Sequence, residues 1–319
     1  MSSAVSPDRF PLRLGTRASP LAMAQAESVK AALLAKMGWE DDAIELVPVT
    51  ASGDKILDRA LAEVGGKALW TKELDGMLAA NIGAEGAIDF SVHSMKDVET
   101  IRPTMFVVAA MLPRADVRDR LIGAESVAAL PEGATVGTSS PRRTAQLLRM
   151  RPDLHITLFR GNVATRIGKL DKGEADATLL AAAGLDRLGM GDVGHAISVD
   201  EMLPAPSQGA IGIECRAEDE TVRALLSRIN HAATCSAVEA ERALLAELGA
   251  DCQSPVGALA TVEKGGAMRL RAQLLAMDGS EAVEGEMLID TDKGATPEKL
   301  ARNLLDKAPP SVRKLFAGR

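Results

Sequence analysis

Two stretches of the sequence repeat one pattern. LGTRASPLAMAQ covers residues 14–25, and VGTSSPRRTAQ covers residues 136–146. In each, a short strand leads into a small polar turn, and a helix follows with serine at its cap and proline in its first turn. A weaker echo pairs EGAIDFSV (85–92) with GEADATLL (173–180). The repeat predicts one βαβ unit used twice, with parallel strands joined by crossover helices.

Two proline-broken apolar stretches predict how the repeated segments are connected. Residues 109–119 lie between the segments, and residues 200–216 follow the second one. They suit a chain that crosses into a second domain and returns to finish the first. The last third predicts a helix at 234–249, three strands joined by GG and DG turns, and a closing helix at 296–307. We expect two hinged α/β domains with a cleft between them, and a small C-terminal α+β domain with a three-stranded antiparallel sheet. The predicted domains are 1–112 with 208–229, then 113–207, then 230–319.

Composition excludes several functional classes. Acidic residues outnumber basic ones, 44 to 37, whereas a general nucleic-acid binder is usually basic. No apolar run approaches the roughly 18 residues of a membrane span, and the N-terminus lacks the apolar core of a signal peptide. Cys215, Cys235 and Cys252 lack the spacing of a disulfide framework, and no metal-ligand spacing occurs. We therefore expect a cytoplasmic protein without metal, membrane or nucleic acid.

Several arginines are expected at junctions between strands and helices. A cation in the first turn of a helix opposes the helix dipole, so helix propensity does not explain these positions. They either form salt bridges with surface acids or bind a polyanion through bidentate contacts. Their matching positions favour the polyanion, and hydroxyl groups accompany one pair of them. The arginines are Arg17, Arg142, Arg143, Arg160 and Arg166, and the hydroxyl groups are those of Thr138, Ser139 and Ser140.

The stretch VHSMKDV (92–98) places Lys96 and Asp97 just after a predicted buried strand. The two side chains either form a surface ion pair in a turn or supply a functional carboxylate. Such a carboxylate stabilises a developing cation or transfers protons. The spacing by itself slightly favours the surface pair.

The stretch GADCQSPVG (249–257) places Cys252 on a predicted loop. Its thiol is inert, half of a disulfide, or a nucleophile that carries a group, and the spacing by itself slightly favours an inert thiol. Cys215 alternates with apolar residues and is expected on a buried strand. Cys235 stands at a helix start and is ambiguous.

Eight motifs, taken together, resemble the porphobilinogen deaminase family over nearly the whole chain. They occur in the family's order, and as a set they are highly specific. They are LGTRASPLAMAQ, GGKALWTKEL, VHSMKDV, GTSSPRR, RGNVATRIGKLD, LLAAAGLDRLG, LPAPSQGAIGIECR and CQSPVG. The resemblance implies two type II periplasmic-binding-protein-like α/β domains, a small third domain, and a monomer.

The resemblance also implies a reaction. A dipyrromethane cofactor would be linked to Cys252 by a thioether, and four porphobilinogen molecules would be added head to tail, each losing ammonia. Hydrolysis would then release hydroxymethylbilane for tetrapyrrole biosynthesis. Every pyrrole carries an acetate and a propionate, which accounts for an arginine-lined site in an acidic protein. Asp97 would stabilise the azafulvene cation that forms when ammonia leaves.

The motif match assigns further residues to the two ligands. Cofactor contacts are implied for Arg142, Arg143, Lys96, Thr138, Ser139, Ser140 and Ser94. Substrate contacts are implied for Arg17, Ser19, Arg160, Arg166, Lys67, Gln25, Gln208, Asn162 and Trp70. The chain departs from the common pattern at Ala164 and Ser207, where glycine is usual, and at Glu99, where proline is common. A ligand-binding or sensing protein on the same scaffold is the alternative, and it would need neither Asp97 nor a linked thiol.

Overall fold

The computed structural model describes residues 11–52 and 70–316. The chain divides into two compact units. Unit 1 contains residues 11–52, 70–115 and 210–235, and unit 2 contains residues 116–209 and 236–316. The finer division into three domains stays a prediction.

The described strands and helices are numbered in chain order. The strands are β1 (Leu12–Arg17), β2 (Ile44–Val49), β3 (Phe90–Ser94), β4 (Phe106–Met111), β5 (Asp119–Ile122), β6 (Thr135–Gly137), β7 (His155–Thr157), β8 (Ala177–Ala181), β9 (His195–Ala196), β10 (Ile211–Arg216), β11 (Val256–Val262), β12 (Met268–Leu275) and β13 (Ala282–Ile289). The α-helices are α1 (Pro20–Met37), α2 (Lys72–Ala79), α3 (Pro141–Met150), α4 (Val163–Asp171), α5 (Ala182–Arg187), α6 (Glu220–Ser227), α7 (Ala232–Leu248), α8 (Pro297–Lys307) and α9 (Pro310–Arg313).

The α/β sheets of the two units share one strand order. In unit 1 the order is β2-β1-β3-β10-β4, with β1 parallel to β2 and β3, and β10 antiparallel to its neighbours. In unit 2 the order is β7-β6-β8-β5-β9, with β6 parallel to β7 and β8, and β5 antiparallel to its neighbours. The predicted βαβ repeat is therefore confirmed. In each sheet the fourth strand is the first one formed after the chain has entered that unit from the other.

The repeated glycines have a shared steric cause. A Cβ atom on Gly15 of β1 would lie 2.4 Å from Ile88 Cδ1, and one on Gly137 of β6 would lie 2.3 Å from the Phe159 ring. Neither distance is sterically possible, because real Cβ contacts stay above about 3 Å. β1 and β6, each the second strand in its sheet order, thus carry glycine where a large apolar side chain packs directly on the strand.

The C-terminal part of unit 2 contains the third sheet. Strands β11, β12 and β13 are antiparallel in that order. Helices α7 and α8 supply buried apolar residues, among them Leu244 and Leu304, to the same core as Leu270 of β12. The predicted fold class, two α/β sheets and a small C-terminal antiparallel sheet, is confirmed.

The starts of α1 and α3 follow the predicted serine caps, and other helices are capped in the same way. Ser19 caps α1 by accepting the Ala22 N–H, and Gly38 ends that helix with a φ of 68°. Ser140, Asn162 and Thr296 cap α3, α4 and α8.

Predictions for the connecting segments were less accurate. β8 ends at Ala181, and α5 begins directly after it at Ala182. Residues 109–119 and 200–216, treated as connections, contribute to β4, β5 and β10. Short strands such as these depend on distant partners, which local patterns do not reveal.

The two glycine substitutions noted in the sequence have different consequences. Ala164 lies in the first turn of α4, where alanine is favourable. Ser207 is the only non-glycine residue of the described chain with positive φ, at 66°. The Ser207 N–H donates to Glu241 Oε2 at 2.6 Å, and the Ala260 N–H donates to Glu241 Oε1 at 2.7 Å. The fully buried Glu241 therefore ties the strained residue to β11.

We expect Ser207→Gly to raise the free energy of unfolding by about 0.5–1 kcal/mol. The left-handed conformation costs a non-glycine residue about 1–2 kcal/mol, and the extra chain entropy of glycine offsets only part of that gain. Chemical denaturation measures the change. Ser207→Ala is the control, because it keeps Cβ and should not stabilise the protein. Equal effects of the two substitutions would contradict the strain.

Candidate functional site

A solvent-open cavity lies in unit 1 at the carboxyl ends of β1 and β3, next to the start of α1. Ligands of open α/β sheets bind at this edge, and the first N–H groups of α1 favour an anion there. The cavity brings together six of the predicted site residues. They are Arg17, Ser19, Gln25, Trp70, Ser94 and Asp97.

Aromatic and hydrogen-bond contacts order the side chains of this cavity. The Arg17 guanidinium lies 4.2 Å from the centroid of the Trp70 ring. Such stacking holds the plane of a guanidinium in a fixed orientation. On the adjacent wall, Gln25 Nε2 donates to Ser94 Oγ at 2.8 Å.

Asp97 ends a single 3₁₀ turn, Met95–Asp97, that follows β3 directly. The turn is anchored at its start, because the Met95 N–H donates to Ala210 O at 3.1 Å. Lys96 lies on the same turn and is half-buried. The turn thus brings a carboxylate to the cavity within a few residues of the sheet.

A network of charged residues next to the cavity was not predicted from the sequence. Arg102 donates to Asp75, Glu99 and Glu214 with shortest distances of 2.6, 2.7 and 2.7 Å. Burial alone would lower the pKa of Arg102, but its hydrogen bonds to Glu214 and Asp75 outweigh burial and raise it.

His93 lines the cavity beside this network. Burial, and secondarily the charge of Arg102, lowers the pKa of His93 to about 4. His93 is therefore a neutral imidazole at neutral pH. Its Nε2 atom lies 2.8 Å from Ser91 Oγ.

In unit 2, three predicted site residues meet at one buried carboxylate, Asp119, which sequence reasoning missed. Arg142 Nη1 and Arg143 Nη2 each lie 2.7 Å from an Asp119 oxygen, and Gln208 Nε2 lies 2.9 Å from Oδ1. Burial raises the pKa of Asp119, but the two guanidinium groups outweigh burial and hold it well below its usual value. Two cations and one anion leave one positive charge in excess. The Nε atoms of Arg142 and Arg143 are also buried without a hydrogen-bond partner.

The remaining predicted residues of unit 2 lie at the starts of α3 and α4. Thr138 is buried and its Oγ1 accepts the Ser140 N–H at 3.2 Å, while Ser139 is exposed. Asn162 Oδ1 accepts the Thr165 N–H at 2.9 Å. Arg166 Nε donates to Gly161 O at 3.0 Å, and Arg160 is buried. These helix starts combine N–H donors with nearby cations.

Cys252 is an exposed thiol on a tightly held turn. The Asp251 side chain accepts the Gln253 N–H at 2.9 Å, and Ser254 Oγ accepts the Asp251 N–H at 3.1 Å. Cys215 is buried on β10, as predicted, and burial raises its pKa to about 12. Cys235 is half-buried. Of the three thiols, Cys252 is the one best exposed for covalent attachment.

Some features lie outside these sites. Lys67 and the glycine-rich loop before it fall outside the described residues. Within residues 11–52 and 70–316, no cluster of histidine, cysteine and acidic side chains is arranged to hold a metal ion. None of the helices in those ranges is long and apolar enough to span a membrane.

The missed residues are acids and one arginine with long-range partners. Asp119 had one usable signal. A buried arginine pair requires a buried counter-charge, and ADVRD (115–119) supplies acids at the end of the predicted connection 109–119. Arg102 and Glu214 gave no comparable signal, because they are far apart in the sequence and meet only across the folded sheet.

The repeated α/β sheets, the helix starts with adjacent arginines and the exposed thiol define a class: a two-unit α/β protein suited to an anionic, covalently attached ligand. Comparison with known families is consistent with this class. Residues 12–224 match the family model "Porphobilinogen deaminase, dipyromethane cofactor binding domain", and residues 235–308 match "Porphobilinogen deaminase, C-terminal domain". The chain belongs to the porphobilinogen deaminase family.

Individual relatives agree with that family. The porphobilinogen deaminase of Sphingopyxis alaskensis is 58% identical over 99% of this chain and 100% of its own length. That of Paracoccus denitrificans is 46% identical over 94% of this chain and 95% of its own length. A solved structure, substrate-binding domain 2 of Lactococcus lactis GlnP in an open conformation, has a TM-score of 0.43 at 10% identity, covering 78% of this chain and 94% of that chain.

We expect Asp119→Asn to lower the free energy of unfolding by about 3–5 kcal/mol, because it leaves two buried guanidinium groups without their carboxylate. The control is Asp116→Asn, whose partner Arg118 is 45% exposed. It should change stability by less than about 1 kcal/mol. Equal losses in the two variants would contradict the assignment.

The stability loss caused by Asp119→Asn should become smaller at acidic pH. The folded-state pKa of Asp119 lies below the unfolded value of about 3.9, so its stabilisation is complete above about pH 4. It is lost as the pH falls towards the folded-state pKa. Urea denaturation of wild type and variant should therefore show a stability gap that narrows below about pH 4.

Proposed function

We propose that this chain is a hydroxymethylbilane synthase, a transferase that joins four porphobilinogen molecules onto a covalently bound dipyrromethane and then hydrolyses the product free. The observation that carries the proposal is that Asp97 and Arg17 line one cavity at the start of α1. The reaction needs both charges, because porphobilinogen is a dicarboxylate and its activated form is a cation. Membership of the porphobilinogen deaminase family supports the same activity.

The residues of unit 2 fit the cofactor that the family implies. A thioether needs an accessible thiol on a fixed segment, and Cys252 is exposed on a turn held by Asp251 and Ser254. Carboxylates on the attached group need positive charge, and Arg142 and Arg143 exceed Asp119 by one charge. When bound, dipyrromethane supplies the free pyrrole α-carbon on which the chain grows. We assign its attachment to Cys252 and its carboxylate contacts to Arg142, Arg143, Lys96, Ser94, Thr138, Ser139 and Ser140.

Porphobilinogen would bind in the unit 1 cavity through its carboxylates. Arg17 offers a guanidinium that the Trp70 ring keeps in plane, and Ser19 stands at the start of α1. Both features favour a carboxylate at this edge of the sheet. Arg160, Arg166, Asn162, Gln208, Gln25 and Lys67 are assigned to further contacts as the product lengthens.

Asp97 would act on the substrate at the carbon–nitrogen bond that breaks. Each addition forms one carbon–carbon bond, releases ammonia from the aminomethyl group, and removes one proton from the attacking pyrrole carbon. Positive charge develops on the pyrrole nitrogen as ammonia leaves. A carboxylate fixed beside that nitrogen stabilises this charge and accepts a proton afterwards.

A ligand-binding protein without catalysis is the rival proposal. It would bind an anion through Arg17 but would have no use for Asp97 or for an exposed thiol. The two tests below therefore separate the rival from the enzyme. We further propose a cytoplasmic monomer, which light scattering of the purified protein would test through its mass.

Cys252→Ala should abolish the covalent adduct. Intact mass under denaturing conditions should show wild-type protein heavier than its sequence by one dipyrromethane, and the variant at its sequence mass. Cys235→Ala is the matched control and should retain the adduct. An adduct that persists in Cys252→Ala, or wild-type protein at its bare sequence mass with full activity, would refute the assignment.

Asp97→Asn should lower kcat by about 100-fold or more, because an amide cannot stabilise the developing cation as a carboxylate does. The measurement is ammonia release from porphobilinogen, normalised to the fraction carrying the adduct. The variant should keep its melting temperature. Asp41→Asn is the control in the same unit, since Asp41 is an exposed partner of Lys30 at 3.0 Å. Comparable turnover in the two variants would exclude a catalytic Asp97.

A further inference from the structure

The segment that follows Asp97 is held by an arginine whose donors are fully used. Arg102 Nε and Nη2 donate to the two oxygens of Glu214 at 2.9 and 2.7 Å. Its Nη1 and Nη2 donate to the two oxygens of Asp75 at 3.1 and 2.6 Å. Nη1 also donates to Glu99 Oε2 at 2.7 Å. Two edges of one planar guanidinium are thus occupied by bidentate carboxylates, a geometry that only arginine provides.

These carboxylates belong to three different elements. Asp75 lies on α2, Glu214 on β10, and Glu99 two residues after Asp97. Glu99 also accepts the hydroxyl of Thr71 at 3.0 Å, and Thr71 lines the cavity together with Asp97. Arg102 therefore fastens the chain just beyond Asp97 to a helix, to the sheet and to the cavity wall.

The other side of the Asp97 turn is anchored separately. The Met95 N–H donates to Ala210 O at 3.1 Å. A Cβ on Gly212 of β10 would lie 2.0 Å from Met95 Sδ, so the sulfur packs directly on the backbone of that strand. Asp97 thus lies between two fixed points of the chain, the packed Met95 before it and the Arg102 network after it.

The charge balance makes the network dependent on Arg102. One guanidinium faces three carboxylates, and the nearby His93 is neutral. The Glu214 side chain is 1% exposed and that of Asp75 is 18% exposed. Without Arg102 these carboxylates would repel one another in a poorly hydrated space. Glu99, the most exposed of the three at 22%, would move away most readily.

We propose that Arg102 is a positioning residue for Asp97: through Glu99 it fixes the turn that presents the Asp97 carboxylate in the cavity. This inference rests on the proposed catalytic role of Asp97 and extends it to a residue that does not line the cavity. Displacement of a catalytic group by about 1 Å can reduce turnover by about 100-fold, so loss of the network should act on kcat. Substrate affinity should change little, because Arg17 and the start of α1 are held by other contacts.

The test compares Arg102→Met, Arg102→Lys and Glu99→Ala with Arg13→Met. Arg13 is the matched control, because it is a half-buried arginine of β1 in the same unit, and its Nε contacts Glu45 at 3.2 Å. Turnover and KM for porphobilinogen are measured per adduct-carrying protein. Hydrogen exchange of the peptide covering residues 94–102 provides a readout that does not depend on activity.

We expect Arg102→Met to lower kcat by about 10- to 100-fold, with KM within about threefold of wild type. Arg102→Lys should recover part of the loss, because it restores the charge without the bidentate geometry. Glu99→Ala should lower kcat to a similar extent. The double variant, Arg102→Met with Glu99→Ala, should have a kcat no lower than that of the slower single variant, because both substitutions remove the same Arg102–Glu99 contact. Residues 94–102 should exchange faster in these variants and not in Arg13→Met.

Other outcomes would overturn the inference. An unchanged kcat in Arg102→Met with a lowered melting temperature would assign Arg102 to stability alone. Additive losses of kcat in the double variant would show that Arg102 does not act through Glu99. If Arg102→Met does not fold, Glu99→Ala decides by the same criteria. Asp97→Asn separates the catalytic role of Asp97 from the positioning role of Arg102. If Asp97→Asn is inactive while Arg102→Met and Glu99→Ala turn over normally, only the positioning role fails. If Asp97→Asn is active, both proposals fail.

Discussion

Both units depend on a carboxylate buried on the antiparallel strand of the sheet. Asp119 on β5 binds Arg142 and Arg143, and Glu214 on β10 binds Arg102. A carboxylate removed from water is stable only when it is paired, so each acid determines where its arginines must stand. The register of these two strands therefore sets the charge pattern of each unit. In unit 2 the balance is positive, and in unit 1 the Arg102 network is negative.

The same βαβ plan thus presents different side chains in the two units. Gly15 and Gly137 occupy equivalent places in β1 and β6, and each admits a large apolar side chain against its strand. Beyond these strands the two units diverge. Unit 1 continues into a cavity with Asp97, and unit 2 continues into helix starts with arginines. This difference fits the proposed reaction, in which the Asp97 carboxylate of unit 1 stabilises a cation and the arginines of unit 2 bind a polyanion.

Features that depend on contacts between residues close in the sequence were predicted, and features that depend on contacts between distant residues were not. The caps Ser19 and Ser140 were predicted because each bonds within three residues of its own position. Arg142 and Arg143 were predicted to bind an anion. In the structure both arginines form ion pairs with a buried carboxylate. Its identity, Asp119, was not predicted, because that residue lay in a segment read as a connection. β5 becomes a strand only by pairing with β8 and β9.

The sequence by itself determined the repeated βαβ units, the helix ends, the small C-terminal sheet and the resemblance that singles out Cys252 and Asp97. These follow from local periodicity, capping and motif order, which act over a few residues at a time. Only the tertiary structure decided that Asp119 joins three predicted site residues, that Glu241 holds the strained Ser207, and that Arg102 secures the segment after Asp97. The physical reason is that a buried charge is satisfied by whichever partner the folded sheet brings within hydrogen-bonding distance, and sequence separation does not reveal that partner.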